Sequence, residues 1–119
     1  MGFFRKLFGK ESAQNGEEAF IVNITDESVS VAGPNRQTEE IFWKDITEIR
    51  FINTNDGPYD IDVWLALIGD DSGCLIPHGI QACEKVYDIV SQYDGFDFDN
   101  VIQSMSFTGN GEFLLWKRN

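Results

Sequence analysis

Histidine occurs once in these 119 residues and cysteine twice, so the side chains that most often hold zinc or carry nucleophilic chemistry are scarce. His78, with Cys74 and Cys83, offers at most three soft ligands. That is one short of a closed tetrahedral site, and the paired spacing of zinc motifs is missing. Nor do two cysteines make the disulfide framework of a small secreted domain. Cys74 sits in a strand-like run and Cys83 on the apolar side of a helical pattern, where a reduced thiol serves as a small hydrophobe, and a cytoplasmic location is expected. Long apolar runs are absent from the N-terminus, where none exceeds two residues. This is far below a signal-peptide core or a membrane span, and Lys6 breaks the myristoylation pattern that Gly2 would otherwise open.

Basic residues are also few, and unevenly placed. Arg5, Lys6, Lys10, Lys117 and Arg118 hold five of the nine at the chain ends. From Glu11 to Trp116 all twenty acids face the other four bases, a net of −16, and between Arg50 and Lys117 the only base is Lys85. Such a body repels nucleic-acid phosphates and anionic lipid heads, which excludes nucleic-acid binding through its main surface and favours a basic protein partner. Disorder is excluded as well. It requires low hydrophobicity together with high charge, and this chain is 42% hydrophobic with ten Phe and three Trp, enough for one domain with a core of its own.

Residues 1–18 read as a separate short segment and linker, and 19–119 as the domain. Phe3, Phe4, Leu7 and Phe8 recur at helical spacing with Arg5, Lys6 and Lys10 elsewhere, a basic amphipathic stretch too short to be a stable helix alone. It must dock, and a membrane surface or a partner protein is its expected contact. From Ala19 the period becomes two. Phe20, Val22 and Ile24, then Val29 and Val31, form a first hairpin; strands follow at 37–43, 47–53, 59–68 and 74–77. Ile80, Cys83, Val86, Tyr87, Val90 and Tyr93 next return at helical intervals until Gly95. A second helix is predicted over 98–106, with Asp97 as N-cap and Phe98, Val101, Ile102 and Met105 as its core positions. A glycine turn at 109–111 launches a closing strand at 112–116.

Strands followed by helices predict an α+β domain: one curved antiparallel sheet of about six to seven strands, covered by one long and one short helix near the C-terminus. With Trp43 and Asp45 before a strand, Trp64 in the long strand, Pro77 before a helix and Phe113 to Trp116 at the end, residues 19–116 resemble small bacterial proteins with a pleckstrin-homology-like fold. Some proteins of that kind are immunity proteins that neutralise a toxin made by the same cell. The resemblance therefore implies the PH-like architecture and, as function, toxin neutralisation within a toxin–antitoxin pair.

No catalytic motif accompanies the charge, so a non-enzymatic role without metal or cofactor is expected. Asp60 and Asp62 share a strand face, but neither they nor Asp94, Asp97 and Asp99 have the glycine and distal glutamate of a calcium loop. The same acids suit partner binding better. Asp56, Asp60, Asp62, Asp70 and Asp71 gather along the long strand and its turns, around Tyr59 and Trp64, as carboxylates around an exposed aromatic anchor would. The expected mechanism is steering of a basic toxin, for example a nuclease with a positive active site, followed by occlusion. The alternative is a peripheral membrane or scaffold module attached through residues 2–9.

Overall fold

A computed structural model describes residues 20–33, 37–54, 63–107 and 109–118 of the chain. The α+β class holds, but the strands form two antiparallel sheets and not one curved sheet. β1 (Ile21–Ile24), β2 (Ser28–Ala32) and β3 (Glu39–Phe42) make the first, in that order. β4 (Glu48–Asn53), β5 (Val63–Ile68), β6 (Gly73–Pro77) and β7 (Gly111–Lys117) make the second, ordered β6-β5-β4-β7. Helices α1 (Gln81–Val90) and α2 (Phe98–Ser106) come between β6 and β7.

The single sheet fails at the step from β3 to β4. A 3-10 turn at Trp43–Asp45 diverts the chain there, held by the Trp43 main-chain N–H on Glu27 O at 3.0 Å and its indole N–H on Thr25 O at 2.9 Å. β4 then pairs with β5 on one side, and the last strand, β7, takes its other side. β3 runs beside β6 without a backbone ladder. Side chains bridge that seam: Glu39 Oε1 accepts from the Leu75 N–H at 2.9 Å, and the Cys74 thiol donates to Val29 O at 3.6 Å.

One buried cluster joins the layers. Val29 and Ile41, directly opposed on the first sheet, share it with Ile49, Phe51, Leu65, Leu67 and Ile76 of the second and with Cys83, Val86 and Val90 of α1. Each fully buried Val or Leu contributes about 1.5–3 kcal/mol, so the three buried α1 positions suffice to dock that helix. Trp64, Leu65, Ala66 and Leu67 are all buried, because β5 lies inside its sheet with both faces covered. Continuous apolarity, rather than alternation, is what such a strand needs.

Gly79 and Gly95, at φ of +108° and +91°, bracket α1 in a backbone region that favours glycine. α2 starts as the sequence predicts: the Asp97 carboxylate accepts from the Asn100 N–H at 3.0 Å, a cap worth about 1 kcal/mol. A register shift in β7 helps to place it. Ile49 opposes Trp116 and Arg50 opposes Leu114, so Leu115 is the extra residue, and its carbonyl accepts from the Asp97 N–H at 2.7 Å.

Candidate partner-binding surface

Asp56, Tyr59, Asp60 and Asp62 lie outside the described residues, as do Phe3, Phe4, Leu7, Phe8 and the rest of 1–19. Of the acidic edge, Trp64, Asp70 and Asp71 remain. Trp64 is not an exposed anchor. It is 9% exposed, with its ring 5.8 Å from that of Phe20 and nearly perpendicular to it, so the aromatic serves the core of an interior strand. Asp70 and Asp71 are exposed, in a turn closed by the Gly69 N–H on Ser72 O at 2.8 Å. Lys44 and Arg118 share the recess beside them, so the acids here have cations as neighbours. Trp64 is at the far end of β5 from this turn; the structure does not bring the three into one surface.

The second helix holds the surface that sequence reasoning missed. Its predicted core positions Phe98, Ile102 and Met105 are exposed, Ile102 at 66% and Phe98 at 53%, with Phe107 exposed just beyond the helix. Of the predicted core positions only Val101 packs against the core, and the rest of the side that docks is polar. Ser104, 1% exposed, donates from Oγ to Asn53 Oδ1 at 2.7 Å, and Asn53 Nδ2 donates to Ser104 O at 2.9 Å. Asn100 adds a bond from Nδ2 to Leu114 O at 2.8 Å. α2 is thus fastened to β4 and β7 by hydrogen bonds and presents its apolar stripe outward. Period 3.6 shows that a helix has two faces; it does not say which one meets the sheet. The available signal was a pair of small polar residues, Asn100 and Ser104, one helical turn apart.

Beside that stripe, a groove of about 350 Å³ opens between α1 and α2. Phe51 forms its floor, Cys83, Tyr87, Val101 and Met105 its walls, and His78, Glu84 and Asp88 its polar margin. The floor is braced by rings: Phe51 stacks on Tyr87 at 6.3 Å, with the planes 5° apart, and meets His78 edge-on at 5.7 Å. Tyr87 in turn abuts Phe96, and Phe96 abuts Phe98. An aromatic row therefore runs from the groove to the start of α2.

The carboxylates at the groove itself are Glu84 and Asp88. Between His78 and Phe107 there are five acids, Glu84, Asp88, Asp94, Asp97 and Asp99, and one base, Lys85. Burial, then Glu84, pushes the Cys83 thiol from its ordinary 9.0 up to about 12, and burial followed by Asp88 raises Tyr87. A thiol held so high stays protonated near neutrality. Among the described residues no three His, Cys, Asp or Glu side chains gather as a metal ion would need. The groove thus combines an apolar floor, aromatic and Met walls and acidic margins.

Among the described residues no helix is long and apolar enough to cross a membrane. Comparisons with protein-family models, curated proteins and solved structures give no significant match.

Proposed function

We propose that this chain is a non-enzymatic binding domain that receives a basic, amphipathic segment of a partner protein on the α1–α2 face. The observation that carries the reading is the outward stripe of Phe98, Ile102 and Met105 beside a groove bordered by Glu84 and Asp88. Apolar side chains of the partner fill the groove, its Lys and Arg meet the margins, and the acidic body raises the encounter rate. Within this reading, the partner we favour is the one the family resemblance implies, a basic toxin met in the cytoplasm and blocked by occlusion, with the PH-like architecture as its carrier. The charge of the chain suits such a partner; the site differs from the Asp56 to Asp71 edge expected from the sequence.

The test uses the native chain and an Ile102→Glu/Met105→Glu variant, each immobilised in native lysate at low salt. A basic protein retained by the first and lost from the second is then measured in isolation. Its on-rate should fall at least tenfold from low to near-molar salt, as the Debye length shrinks from about 10 Å at 0.1 M to about 3 Å at 1 M. Equal retention by both chains would move the site elsewhere. A flat on-rate would remove steering.

A further inference from the structure

From the proposed binding face, on which this step depends, we infer that the α1–α2 groove is the pocket for one arginine side chain of the partner. The methylene stem lies along the apolar walls and the guanidinium is held between Glu84 and Asp88. Size sets the first limit. The groove, at about 350 Å³, is at the low end of what small-ligand sites enclose, whereas a helix with its side chains is about 10–12 Å across. The backbone of the partner therefore passes over the groove, and a single long side chain enters it.

Charge selects which side chain. Glu84 and Asp88 are one helical turn apart on α1, so they project to the same side, and both are exposed. Neither has a cation. The ion pairs among the described residues are those of Arg50 with Glu48 and Glu112, and Lys85 pairs with neither groove carboxylate. Two like charges at this spacing repel and slightly weaken their helix, a cost that a cation shared between them removes. Their influence reaches the groove walls: burial and then Glu84 raise the Cys83 thiol, and burial and then Asp88 raise the Tyr87 hydroxyl. Arginine fits both halves of such a pocket. Its stem is apolar enough to cover Val101 and Met105 while the charged head stays at the margin. The head is a planar fork of donors, more weakly hydrated than an ammonium, so it serves two carboxylates at once and also lies well against aromatic rings, here the stacked Phe51 and Tyr87. Lysine brings only a compact point charge, and an aliphatic side chain leaves both carboxylates unmatched.

The test titrates N-acetylarginine methylamide, and its lysine, citrulline and norleucine counterparts, into the full chain while NMR follows the methyl signals of Val101 and Met105. Citrulline keeps the length and shape of arginine without its charge. The expected result is saturable shifts at both residues, with arginine bound about fivefold more tightly than citrulline, the upper end of what a rim ion pair supplies, and lysine between them. In Glu84→Gln/Asp88→Asn, which alters two exposed positions and leaves the core untouched, arginine should fall to the level of citrulline. Citrulline or norleucine as good as arginine, lysine equal to it, a preference that survives in the double variant, or no shift with any probe would overturn the inference. The binding face is tested separately with the captured partner. A partner lost from Ile102→Glu/Met105→Glu but held undiminished by Glu84→Gln/Asp88→Asn would leave the face standing and remove the arginine anchor. Equal retention by the native chain and both variants would remove both.

Discussion

Substituting single residues of α2 should reverse the usual ranking of helix positions. Ser104→Ala deletes one hydroxyl, yet that hydroxyl is the donor at 2.7 Å to Asn53 Oδ1, in a pair where Ser104 is 1% and Asn53 4% exposed. A buried acceptor left without its donor costs about 1–3 kcal/mol, against which alanine returns roughly 0.5 kcal/mol of helix propensity. The net expectation is a loss of about 0.5–2.5 kcal/mol. Ile102→Ala deletes more atoms from the same helix. At 66% exposure most of that side chain is already in water, so the usual 2–5 kcal/mol of a core isoleucine shrinks, and the propensity gain brings the change to within about 0.5 kcal/mol of zero. Urea unfolding followed by tryptophan fluorescence reads both at constant slope. Asn53→Ala and the double variant complete a cycle whose coupling should be about 1–2 kcal/mol, since the two residues touch. If Ile102→Ala cost more than about 1.5 kcal/mol while Ser104→Ala were silent, α2 would be turned the other way, and the binding face would be an ordinary core.

Two further outcomes follow from the same geometry. Above about pH 9 the unfolded chain releases the Cys83 proton, whereas the folded chain keeps it until about pH 12, so stability should fall across that window by up to about 1.4 kcal/mol per pH unit. Urea midpoints at pH 8, 9 and 10 should show a shallower decline for Cys83→Ala, while Tyr87 and Tyr93, also raised, sustain a part of it; equal slopes would contradict the assignment. Gly69→Ala would put a methyl 2.8 Å from the Asp45 carbonyl oxygen, a main-chain atom with little room to yield, and should lower stability by about 1–3 kcal/mol in a thermal melt. An unchanged melting temperature would show that the β5–β6 turn is looser than described.

What the sequence shows and what it hides divide along physical lines. Local signals are legible: Asp97 caps α2, Gly95 follows α1 with positive φ, and the alternation of Val29 and Val31 places β2. Pairing between distant strands is not. Nothing near Asn53 or Gly111 announces that β4 and β7 are neighbours, and successive hairpins are the simplest reading of strands in series, which leads to one sheet where there are two. The site is hidden for a related reason. Alternation assigns Trp64 to an open face, but alternation applies to strands with one wet side, and β5 has both faces covered. The stripe of α2 is legible in the correct residues but its environment is not, because the partner of Ser104 is 51 positions away in β4.

The two bonds between Asn53 and Ser104 also fix an angle. Apolar interfaces are indifferent to small rotations of a helix, because greasy surface uncovered on one side is covered again on the other. Donor and acceptor pairs have no such tolerance. Advancing α2 by one residue would turn it by about 100° and carry Ser104 out of line with both atoms of the Asn53 amide. The helix therefore has one azimuth on its sheet, and with it Val101 and Met105 have one bearing across the groove. A partner segment of the kind proposed would meet walls already set in place, and little of its binding free energy would be lost to arranging them.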